Sequence, residues 1–132
     1  MPIVTFTESD LLRNKIVSPA WYRLDLGMVS EWNTSKDGQS NNCTVEATIL
    51  FNADNGDEEY KGVPVTLQFN DKPKAKGFIE GFLRALGVDV TAGRYDLGAA
   101  AGKQVDAFVE NDTYEGRILN RVNHKYRQVR QA

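Results

Sequence analysis

Apolar residues recur with a period of two over the first half of the chain. Tyr22, Leu24, Leu26 and Met28 alternate with Arg23, Asp25 and Gly27. This spacing predicts a strand over about 21–32, its even positions facing a core. A second strand follows over about 43–53, with Val45, Ala47, Ile49 and Phe51 inward, and a third over about 60–69, with Val63, Val65, Leu67 and Phe69 inward. Pro64 marks an edge or a bulge in the third. The period then changes: Ala75, Phe78, Ile79, Phe82, Leu83 and Leu86 share one face of a helix. Gly87 ends it. Val105, Ala107 and Val109 predict a fourth strand over about 103–111, and a fifth runs over about 117–127 after a turn at 113–116. "TESDLLRN" at 7–14 reads as a short N-terminal helix, and "DLGAAAG" at 96–102 as a turn of helix capped by Asp96.

Three strands, a helix and two strands is the order of an OB-fold, a five-stranded Greek-key barrel with a helix between its third and fourth strands. Other five-stranded α+β folds share that order. The reading is therefore a mostly β, OB-fold-like single domain over 1–132, with its core at about 20–127 and an N-terminal extension at 1–19. No internal repeat or low-complexity linker divides the 132 residues.

Composition narrows the class. No apolar run reaches the length of a membrane span, and "MPIVTFTESD" lacks a basic segment followed by an apolar one. A cytoplasmic protein is expected. The single cysteine, Cys43, excludes an internal disulfide and a multi-cysteine metal site. The net charge of −2 hides an asymmetry: residues 1–71 carry −6 and residues 72–132 carry +4. The stretch 117–130 holds Arg117, Arg121, Lys125, Arg127 and Arg130 with no acid.

Candidate catalytic chemistry is sparse. His124 and Cys43 are the only residues of their types, and neither has a partner that suggests a triad or zinc site. A packed histidine is the better reading. Asp54, Asp57, Glu58 and Glu59 fall short of a calcium loop, because Val65 stands where the twelfth-position acid belongs. "GAAAG" lacks the Lys-Ser/Thr of a phosphate loop. No enzyme and no cofactor are expected.

Binding has more support. The side-chain period of a strand puts Arg117, Arg121, Lys125 and Arg127 on one face of the last strand. Such a stripe suits a nucleic-acid backbone, and it equally suits an exposed edge that deters pairing. Aromatic rings tilt the choice. Trp32 stands at the mouth of the long polar segment "EWNTSKDGQSNN" at 31–42, and Tyr114 lies between the last two strands. Phe108 and Tyr60 fall on outward registers, as does Arg23. In an OB-fold these two connections flank the oligonucleotide groove, and unpaired bases stack on such rings. The long loop would be a flap, with Ser35 and Lys36 facing the strand and Gly38 allowing a tight tip.

The segments "SPAWYRLDL", "TSKDGQSNN", "GFIEGFLRALGVD" and "DTYEGRILNRVNHKY" together resemble the small single-stranded-DNA-binding proteins encoded in phage and prophage replication or recombination cassettes. The resemblance implies an OB-fold and binding of single strands without sequence preference. By position it points to Ser35, Lys36, Gly38, Tyr114, Gly116, Arg117 and Asn120. Many single-strand binders end in an acidic tail that recruits partners, whereas this sequence ends "RQVRQA". The expectation is a protein that coats and protects single-stranded DNA and meets replication or recombination proteins, with its oligomeric state open. The alternative is an OB-like module that binds a replisome subunit or a host factor.

Overall fold

A computed structural model describes residues 3–13, 15–34, 36, 38, 40–90 and 95–129. Most of them belong to one antiparallel sheet. Its strands are β1 (Ala20–Val29), β2 (Asn33–Thr34), β3 (Asn41–Asn52), β4 (Pro64–Asn70), β5 (Gln104–Tyr114) and β6 (Arg117–Arg127). The helices are α1 (Glu8–Arg13) and α2 (Lys76–Ala85), with short 3-10 turns at Pro73–Ala75 and Leu97–Ala100. Six strands therefore replace the expected five. The extra one, β2, pairs Asn33 with Asn42 and continues the β1 side of β3 into the long loop.

Neighbouring strands run β4–β3–β1–β5–β6, every pair antiparallel. No ladder joins β4 to β6 among the described residues, so the sheet is open rather than a closed barrel. It is strongly curled all the same, and two elements bridge its edges. At one end α2 inserts Phe82 between Phe69 of β4, with centroids 4.8 Å apart, and Tyr126 of β6, at 5.0 Å. At the other end the Asn120 side chain of β6 accepts the Val17 N–H at 3.0 Å and donates to the Lys15 carbonyl at 2.8 Å. These bonds hold the N-terminal segment beside β6.

The core lies inside the curl. Leu24, Leu26, Val45, Ile49, Leu67 and Val105 are almost fully buried, as the alternation requires. Each such side chain contributes about 1.5–3 kcal/mol of hydrophobic burial. Two expected core residues are not there. Met28 is exposed because the β1–β3 register slips between Leu26 and Val29, which reverses the faces beyond it. Phe51 turns outward through a second slip, between Arg23 and Leu24, which puts it opposite Arg23. Ile118, near the tip of the β5–β6 hairpin, is exposed because the hairpin outruns the elements that would cover it.

That hairpin closes with the two-residue turn Glu115-Gly116, both at positive φ, 50° and 77°. This is the twist that suits adjacent right-twisted strands. Further along β6 the ladder breaks. Ala107 opposes Tyr126 and Val109 opposes Val122, so residues 123–125 face Phe108 alone. His124 sits in this bulge at φ 57°, in the left-handed region that non-glycine residues rarely enter.

Candidate functional site

The curl leaves a groove along the seam where β4 and β6 face each other. At the α1 end it is about 700 Å³ in volume and is lined by Arg13, Asp25, Glu46, Thr48 and Leu119. Midway it narrows to about 360 Å³ between Thr66 and Gln68 of β4 and Asn120, Arg121 and Asn123 of β6. At the α2 end it meets a pocket of about 250 Å³ bounded by Asn42, Gln68, Phe69, Phe78 and His124. The three stretches share Thr66, Leu119 and Asn120 at one junction and Gln68 and His124 at the other. They adjoin along the seam, with strand edges as walls.

Several rings meet at the α2 end. Phe78 and His124 stack with centroids 4.7 Å apart and planes 17° apart. Phe69 supports His124 from 5.1 Å, and His124 Nδ1 shares a 3.0 Å hydrogen bond with the Tyr126 hydroxyl. Burial lowers the His124 pKa, which favours the neutral ring, and raises that of Tyr126. Beside this stack the base of the long loop is pinned to the end of β4. The Asp71 carboxylate accepts the Asn41 backbone N–H and side-chain amide, both at 2.8 Å. Those bonds, the backbone one first, hold the Asp71 carboxyl below its usual pKa. Asn70 donates to Ser40 Oγ at 2.9 Å and to Asn42 Oδ1 at 2.8 Å.

The residues singled out by sequence fall into three groups. Arg121 lines the groove, where its guanidinium meets Asp112 at 2.8 Å. Arg117 and Tyr114 are exposed at the hairpin tip next to it. Trp32 precedes β2 with a partly exposed ring, and Lys36 and Gly38 lie in the loop beyond it, Lys36 exposed. Ser35 lies outside the described residues.

The second group occupies the outer face of β1, β5 and β6. Two members of the expected cation stripe, Lys125 and Arg127, lie there, and both are engaged. Arg127 lies 4.1 Å from the Trp21 ring centroid and 3.0 Å from Asp54. Lys125 sits over Phe108 at 5.4 Å and meets Glu110 at 3.3 Å. Arg23 packs on Phe51 at 5.0 Å and pairs with the buried Asp106 at 2.9 Å. Phe108 does face outward, yet Trp21 meets it edge-on at 5.7 Å.

Tyr60 forms the third group, and its expected placement is corrected. β4 begins at Pro64, so Tyr60 belongs to the preceding turns. Its half-buried ring packs edge-on against Tyr22 at 6.1 Å, and its hydroxyl meets Ser18 Oγ at 3.1 Å. It is a core contact and not an outward ring.

Sequence reasoning missed Phe78 and Gln68 as site residues and the groove role of Arg13, whereas Asn42 belongs to the polar loop it offered for hydrogen bonding. Only Phe78 left a trace, because it stands at the margin of the apolar arc of α2 and is 50 % exposed. Among the described residues no cluster of three His, Cys, Asp or Glu side chains is placed to hold a metal, and no helix is long and apolar enough to cross a membrane. Compared with known proteins, the chain matches no family model and no curated sequence.

Proposed function

We propose that the protein binds single-stranded DNA without reading its sequence, holding the strand along the β4–β6 seam. The observation that carries this reading is the run of adjoining cavities along that seam. It is lined by side-chain amides and Arg121, has Arg13 at one end, and ends at an exposed aromatic ring. A backbone-tracking groove joined to a stacking surface is the design by which proteins hold unpaired strands. The strand order β4–β3–β1–β5–β6 supports an OB-fold in which the last closure is left open, and the groove would be its oligonucleotide face. The resemblance to phage and prophage single-strand binders supports the same assignment, with coating of replication or recombination intermediates as the task. No step of covalent chemistry is invoked, and replication or recombination proteins are the natural further partners.

Fluorescence anisotropy with labelled oligo-dT and a labelled duplex, across a salt series, tests the reading. Oligo-dT should bind more tightly than duplex, with log affinity falling linearly against log salt. No binding of oligo-dT at low salt would sink it.

A protein-interaction module is the second reading, and two observations favour it. Ile3, Val4 and Phe6 are exposed apolar residues on the N-terminal segment. Asp25 and Glu46 also place negative charge at the α1 end of the groove. Failure of strand binding, with retained capture of a replication protein, would move this reading ahead.

A further inference from the structure

We infer that the pocket at the α2 end of the groove is a slot for one unpaired nucleobase, with Phe78 as its stacking surface. The inference rests on the single-strand reading and assigns a specific place to one base.

Two locally costly features meet there. Helix α2 buries Ile79, Phe82 and Leu83, yet Phe78 beside them stays half in water. His124 adopts a left-handed backbone conformation within a strand. Residues held in such conformations cluster at ligand sites, where the surroundings over-determine them. Here the result of the strain is specific: the bulge brings the His124 ring flat against Phe78, and Phe69 and the Tyr126 hydroxyl fix His124 from behind. The orientation of the Phe78 ring is set before any ligand arrives, which reduces the ordering cost of stacking.

The polar rim completes the slot. Asn70 is spent: its amide donates to Ser40 and Asn42, and its oxygen accepts the Lys72 N–H at 2.8 Å. The amides of Asn42 and Gln68 line the cavity and carry both donors and acceptors. Such groups satisfy the edge of any base, which suits a site indifferent to sequence. A cavity of about 250 Å³ is smaller than drug-sized ligand pockets, so it takes one ring system and not an extended molecule. The slot opens into the groove through Gln68 and His124, so a base entering it leaves its backbone beside Asn123 and Arg121.

The test measures binding of the full chain and of Phe78→Ala and Phe78→Trp to oligo-dT and to an abasic phosphodiester chain of equal length. Phe78→Ala should lose roughly 5- to 150-fold in affinity for oligo-dT. Phe78→Trp should restore it. All three proteins should bind the abasic chain alike, and the salt slope should not change, because no phosphate contact is removed. If Phe78→Ala binds oligo-dT as tightly as the unmodified chain does, the slot is wrong and the single-strand reading stands. Equal losses on oligo-dT and on the abasic chain would also overturn it, since the ring would then shape the groove and not stack. If the unmodified chain binds no single strand, both readings fall together. Should Phe78→Ala lack a cooperative melt, Phe78→Leu, which retains apolar contact with His124, takes its place with the same outcomes.

Discussion

The outer face of β1, β5 and β6 and the seam between β4 and β6 are built from the same kinds of residue. Both offer aromatic rings and cations. On the outer face each is already in use: Arg127 covers Trp21, Lys125 covers Phe108, and Asp54, Glu110 and Asp106 neutralise the charges. On the seam Phe78 presents half its surface to water, and Gln68 and Asn42 line an open cavity. Charge and aromatic content alone therefore do not locate a binding site. Arg121 on the seam is likewise paired, with Asp112 of the adjacent strand, so what distinguishes the seam is the half-exposed Phe78 ring and the side-chain amides that line an open cavity. Two adjacent strands in register satisfy each other across the ladder. Two strand edges that face each other without a ladder leave room for a groove between them.

Arg23 provides the sharpest way to break this comparison. Its partner Asp106 is buried, so removing the guanidinium leaves an unpaired carboxylate in the sheet. Arg23→Ala should cost about 3–5 kcal/mol of stability, as for other broken buried pairs. Urea denaturation measures it. Strand binding at a temperature where the variant is folded should be unchanged. A stable variant with weakened binding would mean that the outer face is the site after all.

A second pair separates the faces by electrostatics. Arg121 lines the groove and Arg127 lies on the outer face, each with one exposed acidic partner. Such exposed pairs contribute about 0–1 kcal/mol, so neither substitution by Gln should unfold the domain. On the proposed single-strand reading a phosphate displaces Asp112 from Arg121. Arg121→Gln should then flatten the plot of log affinity against log salt by about 0.7, the value for one single-strand phosphate contact. Arg127→Gln should leave the slope alone. Equal slopes for both variants would show that the strand runs over the outer face as well.

The same contrast explains what was legible in the sequence. Alternation located every long strand and the helix, because a period of two or 3.6 is a local property. The core positions of β4 and β5 followed directly. Met28 and Phe51 were misread because a bulge shifts parity without a marker in composition. Tyr60 departs from the alternation because β4 begins only at Pro64. The cation stripe was legible, but its acids come from β5 and from the turn after β3, and one strand read alone conceals them. The groove was illegible for a deeper reason. Its walls lie about 50 residues apart in sequence, and only the curl of the sheet brings Gln68 to His124.

His124 sharpens the comparison further, because the one histidine of the chain lies on the seam. Its ring is half-buried, and burial lowers its pKa below the ordinary value of about 6.5. The unfolded chain therefore takes up a proton before the folded one does. The contribution to stability is fully present above the ordinary value and is lost as pH falls from there toward the folded value. His124→Asn removes the titration while keeping a side chain that tolerates positive φ. Melting temperature should fall for the unmodified chain on acidification below about pH 6.5 and fall less for the variant. Parallel curves for the two proteins would mean that the ring is not held in its buried position. Affinity should weaken in both the acidified chain and the variant, because Phe78 loses its backing.

Asp71 has the smallest expected effect and tests whether the loop belongs with the seam. Its carboxylate is exposed, yet it holds the backbone N–H and the side chain of Asn41, which starts β3 directly after the loop. Its pKa is depressed by those bonds, so the clamp is intact above the usual carboxylate range and is lost as pH falls through the folded value. Asp71→Ala should leave global stability almost unchanged, because an exposed group far from the core contributes little. Local protection should change. Amide exchange at Asn41 should speed up, while exchange in the buried ladder of β1 and β5 stays at its original rate. Asn42 also lines the slot, one residue from the clamp, and its oxygen accepts from Asn70. A loosened clamp should therefore reduce oligo-dT affinity by less than the loss of the Phe78 ring does, with faster dissociation and an unchanged salt slope. If exchange at Asn41 speeds up and affinity does not move, the loop is independent of the groove. If neither changes, the Asp71 contacts do not set the order of the loop.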